Sequence, residues 1–296
     1  MLGAGVDIGG SYIKAGLVEI QSGRIIDQCS VPFPRGQRAE VVWDRTANCV
    51  TELVDRQRLM MNDLVSVGVA LPGTLNPEKT QVIHAYNLDF HNTEVRRPLE
   101  ERFPGIPLSL LNDGDAATLA EHRFGVLKGT RTAVLLTLGT GVGGGLILNG
   151  QLFGGGLGNG VEIGHMTLRY DAEKHVCGNP GCVEMYCSAS SLVSGMEGVS
   201  PREVIEGIRN EDPAMFGILE RYTDALSSAL VSIVNLLDPE VIALGGGVSN
   251  AGEPLLEATS RKLREKSFFT AEYRIVQASM GNEAGMVGAA IAHQCL

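Results

Sequence analysis

The chain has 296 residues, of which 44% are hydrophobic and 20% charged, with a formal net charge of -10. The length favours two domains over one, and this composition excludes an intrinsically disordered chain. No apolar run approaches the length of a membrane span, and the negative charge argues against a surface built to neutralise nucleic-acid phosphates. We therefore expect small-molecule partners, and neither a membrane nor a nucleic acid.

The N-terminus and the cysteines indicate the compartment. Met1 leads directly into Gly3-Ala4-Gly5-Val6-Asp7, with no basic or long apolar segment of a secretory signal, which predicts a cytoplasmic protein. Three of the six cysteines fall within eleven residues and the others are scattered, unlike a disulfide framework. The cysteine cluster therefore predicts metal binding.

The first half of the chain reads as strands joined by glycine turns and followed by helices. Short apolar runs predict strands, and apolar residues at helical spacing predict helices. The predicted strands are Ala4–Ile8, Tyr12–Val18, Arg24–Val31, Val65–Leu71 and Pro107–Leu111, and the predicted helices are Ala39–Leu64 and one that runs from Asp113 to a stop at Gly125.

The second half repeats this plan. Thr132–Leu138 is a predicted strand, Gly139–Gly145 a glycine loop, and Leu146–Phe153 an apolar pattern around the turn Asn149-Gly150. Aligning residues 7–11 with residues 137–141 superposes two strand-glycine-strand units, which predicts an internal duplication. Further predictions are a helix over Met215–Leu237, a strand over Val241–Leu244 before Gly245-Gly246-Gly247, and a terminal helix over Ala284–His293.

Glycine-rich loops let backbone N–H groups approach a phosphate without interference from side chains. Residues 139–144 formally satisfy GxGxxG, but a hairpin follows where a dinucleotide fold requires a helix, and GxxxxGK[ST] is absent from the sequence. Any one of these loops taken alone could equally be a tight turn.

Taken together, Asp7-Ile8-Gly9-Gly10-Ser11-Tyr12-Ile13-Lys14, residues 138–145 and residues 244–248 resemble, in order, the two phosphate hairpins and the adenosine loop of the ROK family of sugar kinases. The resemblance implies an α/β actin-like (ribonuclease H-like) two-domain ATPase fold with duplicated strand-hairpin-helix units. It implies a small domain of residues 1–112 plus a C-terminal helix at about 284–296, a larger domain of residues 113–283, and an active site in the cleft between them.

The same resemblance assigns the nucleotide site. Asp7 would help to hold Mg2+ through water, with strand-end capping as the alternative role. The residues that it places at ATP are Asp7, Gly9, Gly10, Ser11, Lys14, Gly139, Thr140, Gly141, Gly245, Gly246 and Gly247.

Leu110-Leu111-Asn112-Asp113-Gly114-Asp115-Ala116 resembles the ROK segment that carries the general base, which is expected to be Asp113. Phosphoryl transfer needs a positioned acceptor hydroxyl that can lose its proton, and one carboxylate can meet that need. The alternatives are that Asp113 is only a helix N-cap, or that Asp115 assists or replaces it.

Glu162-Ile163-Gly164-His165 and Gly181-Cys182-Val183-Glu184 resemble the family's sugar-binding motifs. The sugar-binding residues that the resemblance implies are Asn87, Asn112, Asp113, Glu162, His165 and Glu184. Tyr86-Asn87 departs from the usual Pro-Asn, so the assignment of Asn87 has the least support.

His165, His175, Cys177 and Cys182 offer two imidazoles and two thiolates, a set that suits a tetrahedral structural Zn2+. The family pattern has one histidine and three cysteines, and His175 stands where the first cysteine would be. Cys187 is an alternative ligand.

The predicted activity is transfer of the ATP γ-phosphoryl group to a hexose hydroxyl, the 6-OH of glucose by default. N-acetylglucosamine, N-acetylmannosamine, allose and fructose kinases share these motifs. The rivals are a non-catalytic sugar-binding module and a sugar-responsive regulator, although a first strand by residue 4 leaves no preceding DNA-binding domain in the sequence. The family resemblance also implies a homodimer.

Overall fold

The computed structural model describes residues 1–33 and 36–295. In chain order, its first elements are β1 (Leu2–Ile8), β2 (Tyr12–Glu19), β3 (Arg24–Pro32), α1 (Ala39–Arg56), β4 (Leu64–Leu71), β5 (Thr74–Leu75), β6 (Gln81–Ala85), β7 (Phe90–Glu94), α2 (Arg96–Arg102), β8 (Leu108–Asn112) and α3 (Asp113–Phe124).

The remaining elements are β9 (Ala133–Leu138), β10 (Val142–Leu148), β11 (Gln151–Leu152), α4 (Val183–Cys187), α5 (Ala189–Leu192), α6 (Pro201–Arg209), α7 (Phe216–Leu237), β12 (Val241–Gly245), α8 (Glu253–Lys266), β13 (Arg274–Gln277) and α9 (Ala284–Cys295). Short 3-10 helices join several of them, at Met61–Asp63, Ile163–His165, Pro213–Met215, Gly247–Ala251 and Gly281–Glu283.

The chain forms two compact units. Unit 1 comprises Met1–Lys128, Gln151–Val161 and Asn282–Leu296, and unit 2 comprises Gly129–Gly150 and Glu162–Gly281. The domain boundaries expected from the sequence stay a prediction.

Unit 1 is built on a sheet of order β3-β2-β1-β4-β8, in which β1 is antiparallel to β2 and parallel to β4, and β4 is parallel to β8. Helix α1 packs on the sheet through a buried stripe that includes Trp43 and Leu53. Helix α9 can come close because glycines face it: a side chain on Gly5 or Gly68 would overlap its backbone. A smaller sheet, β5-β6-β7, belongs to the same unit.

Unit 2 has strands in the order β10-β9-β12-β13, with β9 antiparallel to β10 and parallel to β12. Helices α7 and α8 pack against each other, and α7 buries apolar residues such as Leu226 and Leu230. Helix α7 ends at Asp238, which takes a left-handed conformation with φ of 44°.

The two sheets share a topology, because in each an antiparallel hairpin precedes a strand that pairs in parallel with its first strand. The alignment of residues 7–11 with 137–141 also places equivalent strand ends together, since Ile8 pairs with Ile13 and Leu138 with Val142. The turn Asn149-Gly150 takes positive φ at both positions, as expected for a tight hairpin. The predicted duplication is confirmed.

Two predicted elements were wrong in extent. The helix predicted over residues 39–64 ends at Arg56, because its apolar stripe ends there and Arg58 takes a φ of 56°. The glycine loop predicted over residues 139–145 comprises only residues 139–141, since Gly143, Gly144 and Gly145 lie in β10 and pair with β9.

Among the described residues, none of the helices combines the length and apolar character needed to cross a bilayer.

Candidate functional site

The candidate binding site of unit 1 lies at the sheet edge where its parallel strands end. Because β1, β4 and β8 are parallel, the segments that follow them emerge at one edge of the sheet, the edge where open α/β sheets bind ligands. Gly9 follows β1, Gly73 follows β4, and Asn112 ends β8. The Nδ2 of Asn112 donates to the Gly73 carbonyl at 2.8 Å, which joins two of these segments.

Asp7 and Lys14 are direct cross-strand partners in the β1–β2 hairpin. Burial raises the pKa of the Asp7 carboxyl, and the positive charge of Lys14 acts in the opposite direction. Lys14 also donates to the Asn282 carbonyl at 3.2 Å. Gly285 of α9 faces the Asp7 carboxyl so closely that a methyl group there would stand 3.0 Å from it. Asp7 is thus a carboxylate held partly buried beside a lysine.

The first hairpin loop presents backbone groups and small side chains. The Gly9 N–H donates to the Tyr12 carbonyl at 2.9 Å, and Ser11 is exposed. A methyl group on Gly10 would stand 3.3 Å from Asn87 Cβ. The structure therefore places Asn87 beside this loop, and the Asn87 side chain is exposed there. Among the predicted sugar-binding residues, Asn87 is the one with the least support from the sequence.

Three polar residues at the start of α3, Asn112, Asp113 and Asp115, have different surroundings. Asn112 is the N-cap, with its Oδ1 accepting from the N–H groups of Gly114 at 2.8 Å and Asp115 at 3.4 Å. Asp113 occupies the first helical position and is exposed, whereas Asp115 is only 3% exposed. Of the two carboxylates considered from the sequence, Asp113 is the one that solvent and a ligand can reach.

The second hairpin loop, Gly139–Gly141, is closed by a hydrogen bond from the Gly139 N–H to the Gly141 carbonyl at 2.9 Å, and Thr140 at its tip is exposed. Gly246 adopts φ of 79°, a region that favours glycine, and a side chain there would overlap the backbone of Leu138. The third glycine loop, Gly245–Gly247, thus lies directly against the end of β9, beside the second.

Four predicted metal ligands come together in unit 2. The ligand atoms of His165, His175, Cys177 and Cys182 all lie within 4.8 Å of one another. The two sulfur atoms are 3.3 Å apart, and His175 Nδ1 is 3.3 Å from Cys177 Sγ. Burial, and then the neighbouring Cys177 thiol, raise the pKa of the Cys182 thiol to about 11.

The chemistry of this cluster suits a metal ion. His165 Nδ1 is buried and has no hydrogen-bond partner within residues 1–33 and 36–295. Two thiols and two imidazoles are the donor set that zinc prefers. Cys187 lies outside the group found among the described residues; it is buried, which raises its pKa to about 12.

Glu184 occupies a position that its sequence motif did not reveal. Its Oε1 is 3.2 Å from His175 Nε2, and its Oε2 accepts from the Val142 N–H at 2.8 Å. It therefore contacts both the metal-ligand cluster and the second glycine loop. Glu162, the other predicted sugar carboxylate of unit 2, is exposed immediately before the 3-10 helix that carries His165.

Two positions near the predicted residues carried no functional signal in the sequence. Gly73 lies just beyond the strand predicted over Val65–Leu71, and its carbonyl accepts a hydrogen bond from Asn112. Gly285 was recognised only as part of an apolar terminal helix, yet its lack of a side chain leaves room for the Asp7 carboxyl.

The comparisons with known proteins bear on the family and the fold. The model of the ROK family matches residues 3–294. A glucokinase of Streptomyces coelicolor is 30% identical over 312 residues, which span 97% of this chain and 95% of that protein. The crystal structure of a ROK family glucokinase from Streptomyces griseus in complex with glucose and AMPPNP superposes with a TM-score of 0.85 at 29% identity, covering 98% of each chain. ROK sugar kinases have the actin-like ATPase fold, so the predicted fold class is confirmed.

A relative of another functional class also matches. The xylose repressor of Bacillus spizizenii is 24% identical over 290 residues, which span 96% of this chain and 74% of the repressor.

Proposed function

The chain belongs to the ROK family, and on that premise we propose that it is a glucokinase-like hexose kinase, which transfers the γ-phosphoryl group of ATP to a sugar hydroxyl. The observation that carries the proposal is the exposed carboxylate of Asp113, which begins a helix at the sheet edge where Asn112 and the first glycine loop also lie.

Asp113 is the proposed general base. It would accept the proton of the attacking hydroxyl as the bond to the γ-phosphorus forms, and the ADP oxygen would leave with the electron pair of the broken bond. Its backbone is held by the Asn112 cap, and its Oδ1 accepts from the Gly114 N–H at 2.8 Å, which fixes the direction of the carboxylate. Asp115 is a poor candidate because its side chain is buried.

The glycine loops are the proposed phosphate and adenosine contacts. Their backbone N–H groups can approach anionic oxygens without a charged side chain. Mg2+ would neutralise phosphate charge, and Asp7 would hold it, directly or through water, beside Lys14. The nucleotide residues proposed are those named from the sequence, of which Gly139, Thr140, Gly141, Gly245, Gly246 and Gly247 belong to unit 2.

For Zn2+, we propose a structural site with His165, His175, Cys177 and Cys182 as ligands. Four protein ligands leave a tetrahedral ion no position for substrate, and such a site stabilises the segments that it joins. These segments carry Glu162 and Glu184, which with Asn87, Asn112 and His165 are the proposed sugar contacts. Selectivity would come from hydrogen-bonding groups that lose their partners when the wrong sugar binds.

An ADP-release assay tests the kinase proposal. Mg-ATP would be offered with glucose, other hexoses and N-acetylhexosamines, and glucose is expected to give the highest kcat/KM. Asp113→Asn should lower kcat by about 10²–10⁴-fold while sugar affinity, measured by calorimetry, changes little. Asp115→Asn is the matched variant, and it should act mainly on thermal stability. No ADP release with any sugar, or near-normal turnover of Asp113→Asn, would refute the proposal.

Metal analysis tests the zinc site. The purified wild-type protein is expected to hold one zinc per chain by mass spectrometry, Cys177→Ser to hold much less, and Cys187→Ser to hold as much as wild type. Equal zinc in both variants would exclude the proposed ligand set.

The match to a xylose repressor supports a second candidate, a sugar-binding module without catalysis. Sugar affinity without ADP release would favour it. The homodimer, the cytoplasmic location and the lack of nucleic-acid binding stay predictions.

A further inference from the structure

The histidine that replaces a family cysteine makes a contact that a cysteine could not. His175 Nδ1 faces Cys177 Sγ at 3.3 Å, so Nδ1 would be its ligand atom for the proposed metal, and the opposite ring nitrogen, Nε2, is 3.2 Å from Glu184 Oε1. A histidine that ligates a metal through one nitrogen commonly donates its other N–H to a carboxylate, which fixes the orientation of the ring. Both side chains are mostly buried, at 15% and 24% exposed.

The other oxygen of Glu184 holds the second glycine loop. Its Oε2 accepts from the Val142 N–H at 2.8 Å, and Gly141 passes so close that any side chain there would overlap this oxygen. A side chain at Gly141 would therefore displace the Glu184 carboxylate. A charged acceptor makes such a backbone hydrogen bond stronger than a neutral one.

The segments that carry the metal ligands also contact both ends of this loop. Helix α4 begins directly after Cys182, and the residue that opens the next helix, Ala189, donates its N–H to the Gly139 carbonyl at 2.7 Å. On the other side, Gly164, beside the ligand His165, packs on the Val142 carbonyl with no room for a side chain. The loop is thus flanked by two segments that adjoin the cluster, one at Gly139 and one at Val142.

From these contacts we infer that Glu184 is a positioning residue that transmits the geometry of the metal cluster, through His175, to the nucleotide-binding loop Gly139–Val142. The inference rests on the proposed function for the role of the loop, and it gives Glu184 a task in nucleotide binding besides the proposed contact with sugar. The path runs from His175 Nε2 to Glu184 Oε1, and from Glu184 Oε2 to the Val142 N–H.

A double-mutant cycle on His175 and Glu184 tests this path. His175→Cys restores a thiol ligand but cannot reach Glu184. Glu184→Gln keeps all four ligands and one oxygen for the Val142 N–H, while its amide N–H₂ would face the histidine N–H. Glu206→Gln is the matched control, since Glu206 lies on α6 in an exposed pair with Arg202 at 3.0 Å.

The primary measurement is the affinity for a fluorescent ATP analogue, made on zinc-loaded protein without sugar. Each single variant is expected to weaken nucleotide binding by about 10–100-fold, which corresponds to the strength of a hydrogen bond to a charged group. The double variant should bind nucleotide no more weakly than the weaker single variant, because both substitutions interrupt the same path. Glu206→Gln should bind as wild type does, and all variants should hold one zinc per chain.

The outcomes separate the inference from the proposed function. Additive losses in the double variant, or single variants with wild-type nucleotide affinity, would overturn the path through Glu184. An effect confined to sugar affinity would do the same and would leave Glu184 as a sugar contact alone. A wild-type protein that binds nucleotide but phosphorylates no sugar would refute the kinase proposal and leave the cycle valid, whereas one that binds no nucleotide would refute both.

Discussion

The β1–β2 and β9–β10 hairpins have the same topology, but only the first has a charged cross-strand pair beside its loop. In the first, Asp7 pairs with Lys14; the equivalent pair in the second is Thr137 with Gly143. The first loop has four residues between the paired strand ends and the second has three. The first therefore supplies charged side chains, and the second supplies backbone that a neighbouring segment holds in place. Under the proposed function, the first hairpin would act through a carboxylate that holds a metal ion, and the second through uncharged N–H donors.

Replacement of the charged residue provides the strongest test of this contrast. Asp7→Asn keeps the shape of the side chain but removes the charge that would hold Mg2+, so kcat is expected to fall by about 10²–10³-fold. Thr137→Val, at the equivalent position of the second hairpin, should change kcat by less than about threefold, because this pair is uncharged. Steady-state kinetics over a range of Mg2+ concentrations would measure both, and equal losses would contradict this difference between the hairpins.

A methyl group in the second loop tests its dependence on close packing. In Gly141→Ala the new methyl would overlap Glu184 Oε2, so we expect KM for ATP to rise about tenfold and the protein to lose about 1–3 kcal/mol of stability. Gly139→Ala is the control in the same loop, since the nearest atom to its methyl would be the Gly141 carbonyl oxygen at 3.9 Å. If both variants have the same KM, packing against Glu184 does not shape the loop.

The smallest expected effect is on stability. Burial raises the pKa of Asp7 in the folded protein above its usual value of 3.8, so the folded state holds the proton to higher pH than the unfolded chain does. The contribution of this carboxyl to stability therefore falls as pH rises from about 3.8 through the raised folded pKa. At pH 7 without Mg2+, Asp7→Asn should be more stable than wild type by about 1 kcal/mol.

Denaturant unfolding of both proteins from pH 3 to pH 8 would measure this difference. The gain should vanish toward pH 3, where the carboxyl is protonated in both states. A variant that is less stable than wild type at pH 7 would show that the interaction with Lys14 outweighs burial.

Much of the fold was predictable because its signals are local. Alternating or continuous apolar runs bounded by glycine predicted β1, β2, β9 and β12 to within two residues. The end of α1 was missed because apolar residues such as Leu59 and Met61 follow Arg56, although the buried stripe of the helix has already ended. The small sheet β5-β6-β7, strand β13 and helices α2, α4, α5, α6 and α8 were not predicted. Helices α4 and α5 are too short for a regular pattern, whereas α6 and α8 were missed although they bury residues at helical spacing, such as Val204 with Ile208 and Leu255 with Thr259.

The amino-acid sequence by itself determined the family and the actin-like fold, and it predicted the sugar kinase activity and the candidate site residues, because glycine loops and carboxylates at strand ends are short contiguous motifs. The family resemblance favoured Asp113 over Asp115, but only the tertiary structure showed that they differ in exposure, since neighbours in a helix differ in burial according to what packs on each face. It alone placed Glu184 between His175 and Val142, because that contact joins residues 42 positions apart in the chain. Motifs are local in sequence, whereas exposure and the partner of a carboxylate depend on the packing of distant segments.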